Sequence, residues 1–180
     1  MKNFLIRTTA VGLGFCLWSG AAIAKPAPPN ADTKAASHVT MGEKSWIGDV
    51  YNSGLEEISL GKLAATKGTT AGVKELGSHM MSGHQALNKE LKMLADKKGV
   101  KISQKSADKE YKKLNALKGK DFDKEYVKMM VDGHTGIVKK FKSEADKGND
   151  PNLKAWAAAN LPKIEEHLKM AQAQQAAVGK

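Results

Sequence analysis

Four residues in this chain have side chains that bind metals or move protons, at positions where a helix would bury them: Glu57, His84, His134 and His167. Around His84 the apolar side chains Val73, Leu76, Met80, Leu87, Leu91 and Leu94 recur in steps of three and four, drawing one stripe along a helix. His84 occupies the slot between Met80 and Leu87 where such a stripe expects Leu. The chain then repeats itself: Met80-Met81-Ser82-Gly83-His84 is answered by Met130-Val131-Asp132-Gly133-His134. His134 shares a stripe with Phe122, Tyr126, Met130, Ile137 and Phe141. His167 borders a third stripe built from Leu153, Trp156 or Ala157, Leu161, Ile164 and Leu168. Glu57 falls inside the border of a broad face carrying Ile47, Val50, Tyr51, Ile58 and Ala65, together with Gly54 and Gly61, whereas Glu56 points away from it.

Burying a polar group without a partner costs about 1–3 kcal/mol, and more if it is charged, so one such group on each of four helices implies that they meet each other or a ligand. Neutral imidazole and carboxylate suit zinc, copper or iron. Met80 and Met130 add a thioether one turn before each repeated histidine, which biases the choice toward copper(I). They are the weaker candidate ligands, because a methionine on an apolar stripe is far more often core filler. The di-iron signature of helical bundles is absent: three residues before the histidines stand Met81, Val131 and Ile164, not glutamates. No nucleophile elbow, phosphate loop or zinc-protease helix occurs either, and the residues therefore point to binding and not to an enzyme. The competing reading is a ligand-free, hydrogen-bonded polar core in a structural or envelope-stress interaction protein. His79 lies off the stripe and His38 precedes the first helix; both are expected in solvent.

The elements that must position these groups are all helices. Thr40 or Ser45 caps the first, and Lys67-Gly68-Thr69-Thr70 makes a turn so short that the second must fold back as a hairpin. Asp96-Lys97-Lys98-Gly99 closes the second helix. From Val100 to Lys120 the pattern weakens to one short helix, capped by Ser106, presenting Tyr111, Leu114 and Leu117 and ended by Gly119. A third long helix follows Asp121 or Asp123 as cap and closes at Lys147-Gly148-Asn149. Asp150-Pro151 opens the fourth, and Pro162 interrupts its backbone bonding one turn before His167. A long link between the second and third helices is the crossover of ferritin-like bundles, and the fold expected is an all-α, ferritin-like four-helix bundle over residues 40–178.

Composition sets the compartment. Lys2 and Arg7, an apolar run from Ala10 to Ile23 and the final Ala22-Ile23-Ala24 form a signal peptide over residues 1–24, cleaved after Ala24. It is too short and wrongly flanked for a membrane span, so the mature chain is expected to have no transmembrane segment. Cys16 lies within this run behind Phe15, where a lipoprotein signal would want a small residue, and the mature chain has no other cysteine to form a disulfide or a thiolate site. Residues 25–39, rich in Pro, Ala, Asn and Lys, read as a flexible leader. The formal charge of +10 comes from 29 basic and 19 acidic residues, and Arg7 is the only arginine. A lysine-only basic surface argues against specific nucleic-acid recognition, which leans on the guanidinium fork. The expected address is the periplasm, with peripheral association at the outer membrane as a further option.

At these residues the chain resembles the bacterial domain-of-unknown-function 4142 family, described as predicted outer-membrane or periplasmic proteins with a ferritin-like four-helix domain. The resemblance covers roughly Ser45 to Gln172. It rests on Glu57-Ile58-Ser59-Leu60-Gly61-Lys62-Leu63-Ala64, on Val73-Lys74-Glu75-Leu76 through Met81 to His84, on Phe122-Asp123 with Tyr126, Met130 and His134, and on Leu161-Pro162 with His167. It departs from the family pattern at Gly83 and Gly133, where a polar or acidic residue is more usual. The resemblance implies fold and compartment and no reaction. The function expected from residues and resemblance together is sequestration or buffering of a transition metal in or near the core.

Overall fold

Thr40 begins the first helix, α1 (Met41–Lys67), with a reciprocal cap: its hydroxyl accepts from the Glu43 N–H, and the Glu43 carboxylate accepts from the Thr40 N–H. Thr70 opens α2 (Ala71–Lys97) by accepting from the Val73 N–H at 3.3 Å. A short α3 (Asp108–Ala116) follows, with Ser106 Oγ accepting from the Asp108 N–H. The last two helices are α4 (Gly119–Lys147) and α5 (Pro151–Val178), the latter capped by Asp150, which accepts from the N–H groups of Asn152 and Leu153. The structure is a computed structural model that describes residues 38–106 and 108–179. The expected signal peptide, with Cys16, and the expected leader as far as residue 37 lie outside the described residues. Val39, assigned by composition to the leader, is buried against the α1 end of the core. Among the described residues there is no strand, and no helix is long and apolar enough to cross a membrane.

α1 packs along α2 and α4 along α5, giving two helical hairpins that meet through α2 with α5 and α1 with α4. Contacts at both ends give the directions. Glu43 at the start of α1 accepts from the backbone of Asn149 and Asp150 beyond the end of α4, while Thr69 just after α1 bonds Asp123 near the start of α4. Lys98, just after α2, pairs with Asp150 just before α5. α2 and α4 therefore run the same way, and the segment between them has to carry the chain back along the bundle. Asn52 Oδ1 and Nδ2 hold that returning segment at Lys105 and Ser103, and Lys67 holds its far end at Asn115.

Two expectations about individual elements are corrected. Neither Asp121 nor Asp123 caps α4. The chain turns at Gly119, whose φ of 59° suits glycine, and the N-cap is Lys118 without a side-chain bond, because Asp123 is buried and committed to Thr69 of the other hairpin. On α1 the buried face is rotated from the one read in the sequence: Leu60, Leu63 and Ala64 are buried and Ile58 and Ala65 only half-buried. The cause is a backbone contact. A Cβ on Gly61 would stand 2.7 Å from the Gly77 carbonyl oxygen, and one on Gly77 would stand 2.7 Å from the Gly61 oxygen, so α1 and α2 cross at their bare backbones. Gly54 likewise leaves room for Asn88, whose Nδ2 donates to the Tyr51 carbonyl.

The apolar core falls into two clusters. One gathers Ile47, Val50, Leu87, Leu91, Ile137, Phe141, Leu153 and Ile164, with Trp46 and Trp156 against it. The other gathers Leu60, Leu76, Met80, Leu114, Phe122, Tyr126, Met130 and Ala171. On every long helix the polar residue singled out above sits between the members of these two clusters. Glu57 lies between Val50 and Leu60, His84 between Met80 and Leu87, His134 between Met130 and Ile137, and His167 between Ile164 and Ala171. The bundle is thus divided by a single polar layer.

Candidate metal centre

Each of the four helices delivers one side chain to that layer, and all four side chains are buried. His84 Nε2 lies 3.3 Å from His134 Nε2 and 3.3 Å from His167 Nδ1, and the last two are 3.4 Å apart. The three nitrogens therefore form an almost equilateral triangle. A point at its centre is about 1.9 Å from each corner, so an ion roughly 0.6–0.8 Å out of the plane would reach the ~2.0–2.1 Å of a zinc–imidazole bond. The rings meet at centroid distances of 5.0–5.4 Å, strongly tilted and not stacked, as convergence of their nitrogens on one point requires.

Glu57 closes one edge of the triangle. Its Oε2 lies 2.8 Å from His84 Nε2 and 3.3 Å from His134 Nε2. Among the described residues the three histidines make up a set whose donor atoms are all mutually close, and the carboxylate sits beside two of them. Oε2 nevertheless accepts no well-directed hydrogen bond, although it is fully enclosed.

His134 brings an acceptor, and not a donor, to this crowding. Its Nδ1 lies 2.9 Å from the Met130 carbonyl oxygen, one turn back on α4. A carbonyl can only accept, so Nδ1 carries the hydrogen, and in the neutral ring Nε2 is then a bare lone pair. That lone pair faces His84, His167 and Glu57 together. Fixing the tautomer through the outer nitrogen is what the surroundings of a metal-bound histidine ordinarily do.

The charge states agree with the geometry. Burial, then the neighbouring His84 and His134, pushes His167 from 6.5 down to about 3, with only Glu57 opposing. His134 is lowered as well, by burial first. Burial raises the Glu57 carboxyl, but the imidazoles of His84, His134 and His167 outweigh it and hold the group below its usual range. At neutral pH His134 and His167 are therefore unprotonated beside an ionised carboxylate, the state a metal requires of its ligands. Next to it Tyr126 is held protonated far above the ordinary phenol range by burial and then by Glu57, and its hydroxyl has no partner among the described residues.

Met80 and Met130, the weaker candidate ligands, pack in the second apolar cluster with Leu60, Leu76 and Phe122. Met130 joins the site through its carbonyl oxygen. His38 and His79 are exposed as expected, but His79 is less remote than its place off the stripe implied, since its ring meets the His167 ring edge-on at 5.2 Å. The glycines before the repeated histidines also acquire a role. A Cβ on Gly83 would stand 2.8 Å from His167 Cε1 and Nε2, whereas one on Gly133 would make only an ordinary 3.6 Å contact with Glu57 Oε1. Nothing within α2 signals the first of these contacts, because the ring belongs to α5. A cavity of about 10 Å³, room for roughly one water, adjoins His84 and is lined by Ser53, Asn88, Ile137 and Phe141 among others.

Against known proteins, residues 27–174 match the family model described as "Domain of unknown function (DUF4142)". No curated protein and no solved structure matches the chain.

Proposed function

Since the chain belongs to the DUF4142 family, whose description names no activity, we propose from its polar layer that it binds one transition-metal ion and serves to sequester or buffer it. His84, His134 and His167 are the ligands. Glu57 supplies the balancing negative charge, either from beside the triangle or as a fourth ligand after a small shift. One observation carries this reading: three imidazole nitrogens and a carboxylate oxygen crowd within 2.8–3.4 Å of their neighbours in a buried layer where Oε2 accepts no well-directed hydrogen bond. A cation removes that conflict at once. The donor set favours zinc, with copper(II) and iron(II) next, because imidazole and carboxylate are neither soft enough to prefer copper(I) nor joined here by the methionine thioethers. The surrounding scaffold is, on this reading, a ferritin-like four-helix bundle with a crossover, exported by its signal peptide to the periplasm.

Titrating metal-free mature protein with zinc, copper(II) and iron(II) tests the proposal. It expects saturation near one equivalent for at least one ion, abolished in the His84→Ala, His134→Ala double variant. Absence of a saturable site for all three would end it.

The second reading, a ligand-free polar core in a structural protein, is favoured by the 2.8 Å approach of Glu57 to His84, which a carboxylate–imidazolium pair would also make. It differs in expecting chelators to leave thermal stability unchanged.

A further inference from the structure

A buried ligand set needs a route by which an ion reaches it, and His167 is the ligand whose ring meets an exposed imidazole, that of His79. Its Nδ1 faces inward to His84 and His134, so Nε2 is turned away from them and ends the outward-running Cε1–Nε2 edge of the ring. That edge lies over the backbone of α2 at Gly83, where a Cβ would collide with both atoms at 2.8 Å. One helical turn earlier on the same face of α2 stands His79, exposed to solvent, with its ring 5.2 Å from the His167 ring and nearly perpendicular to it at 83°. An exposed imidazole, a buried imidazole with one nitrogen turned each way, and the inner triangle thus follow one another from the surface inward. Gly83 removes the side chain that would otherwise wall off the middle member.

We propose that His79 and the outward edge of His167 form the loading position through which a transition-metal ion passes to the buried three-histidine site. The inference rests on the metal-binding reading above. His79 captures the hydrated ion at the surface, where losing a few waters costs little. The ion then passes along that edge of the His167 ring to its Nδ1 side, and leaves by the reverse path. His79 accordingly acts on the rate of exchange in both directions and not on the equilibrium.

The test uses cobalt(II), whose visible bands report coordination, with the mature chain and its His79→Ala and His79→Cys variants. Uptake is followed by stopped flow and release by mixing the loaded protein with excess chelator. The expected result is that His79→Ala slows both uptake and release by about tenfold or more while the dissociation constant moves less than about threefold, since a ligand made only in transit lowers a barrier without changing its end points. His79→Cys, which keeps a metal-binding side chain, is expected to restore most of the rate. Unchanged rates in His79→Ala would overturn the loading role and leave the buried site standing. Weakened affinity matched by faster release would overturn it too, making His79 a permanent ligand. No saturable cobalt binding to the unmodified chain would remove the buried site itself, a failure visible before any variant is compared.

Discussion

Gly83 of α2 lies so close beneath His167 of α5 that any Cβ there would stand 2.8 Å from two atoms of the imidazole ring. An alanine at this position therefore acts on the site from a residue that is not a ligand. Gly83→Ala is expected to weaken zinc binding by about tenfold or more, the scale of effects from groups that orient metal ligands. Gly133→Ala, with its nearest contact at 3.6 Å, should leave affinity nearly unchanged and add about 0.5–1 kcal/mol of helix stability. Competition titration against a chromophoric chelator, with thermal melts of both variants, checks the pair.

Metal should stabilise the fold by mass action. With free zinc at about one hundred times its dissociation constant, the gain is ~2.7 kcal/mol, or a rise in Tm of roughly 5–10 °C for a domain of this size. Excess chelator should reverse it. In His134→Ala the rise should vanish, and the metal-free protein should itself lose about 1–3 kcal/mol as the buried ring and its bond to the Met130 carbonyl are removed.

Acid should act on the metal-free protein through the same histidines. A histidine whose folded-state pKa is depressed stays neutral in the fold while the unfolded chain takes up a proton. Its contribution is therefore complete above the ordinary value of 6.5 and is lost as pH falls toward about 3, the value for His167. The lowered His134 works in the same direction, and the lowered Glu57 joins below its ordinary value of 4.5. Tm measured from pH 7.5 down to pH 4.5 should fall for the wild type and fall less steeply for His167→Gln, which has no proton to gain. Parallel slopes would contradict the assignment.

The α1–α2 crossing offers a test free of the site. Gly61→Ala places a methyl 2.7 Å from the Gly77 carbonyl oxygen, a backbone atom that cannot swing aside. The expected loss is about 1–3 kcal/mol in spite of the better helix propensity of alanine. Gly48→Ala on the same helix meets nothing within 4 Å and should instead gain about 0.5–1 kcal/mol. Urea denaturation midpoints of the two variants separate packing from propensity.

How much of this was legible in the sequence depends on where each contact originates. Histidines replacing Leu in stripes of steps three and four announced the polar layer, because burial on a helix is a local periodicity and Glu57, His84, His134 and His167 each obey it. The cap at Asp150 was legible because it too is local, and Thr40 was one of the two caps offered for α1, beside Ser45. Asp123 was not: it has the composition of an N-cap, and only the neighbouring hairpin reveals that Thr69 claims it. The rotation of α1 was hidden because Gly61 and Gly77 meet through backbone atoms, which leave no apolar residue to count. His79 read correctly as exposed, yet its partner lies on α5, eighty-eight positions along the chain.

The layer that parts the two apolar clusters also fixes alignment. Each hairpin contributes two of its members, Glu57 and His84 from the first, His134 and His167 from the second. Sliding one hairpin past the other by a single helical turn, about 5.4 Å, would press both pairs into hydrocarbon, at about 1–3 kcal/mol or more for each stranded group. The four residues thus work like index marks on two rulers, and only one setting brings the marks together, whether or not an ion ever rests between them.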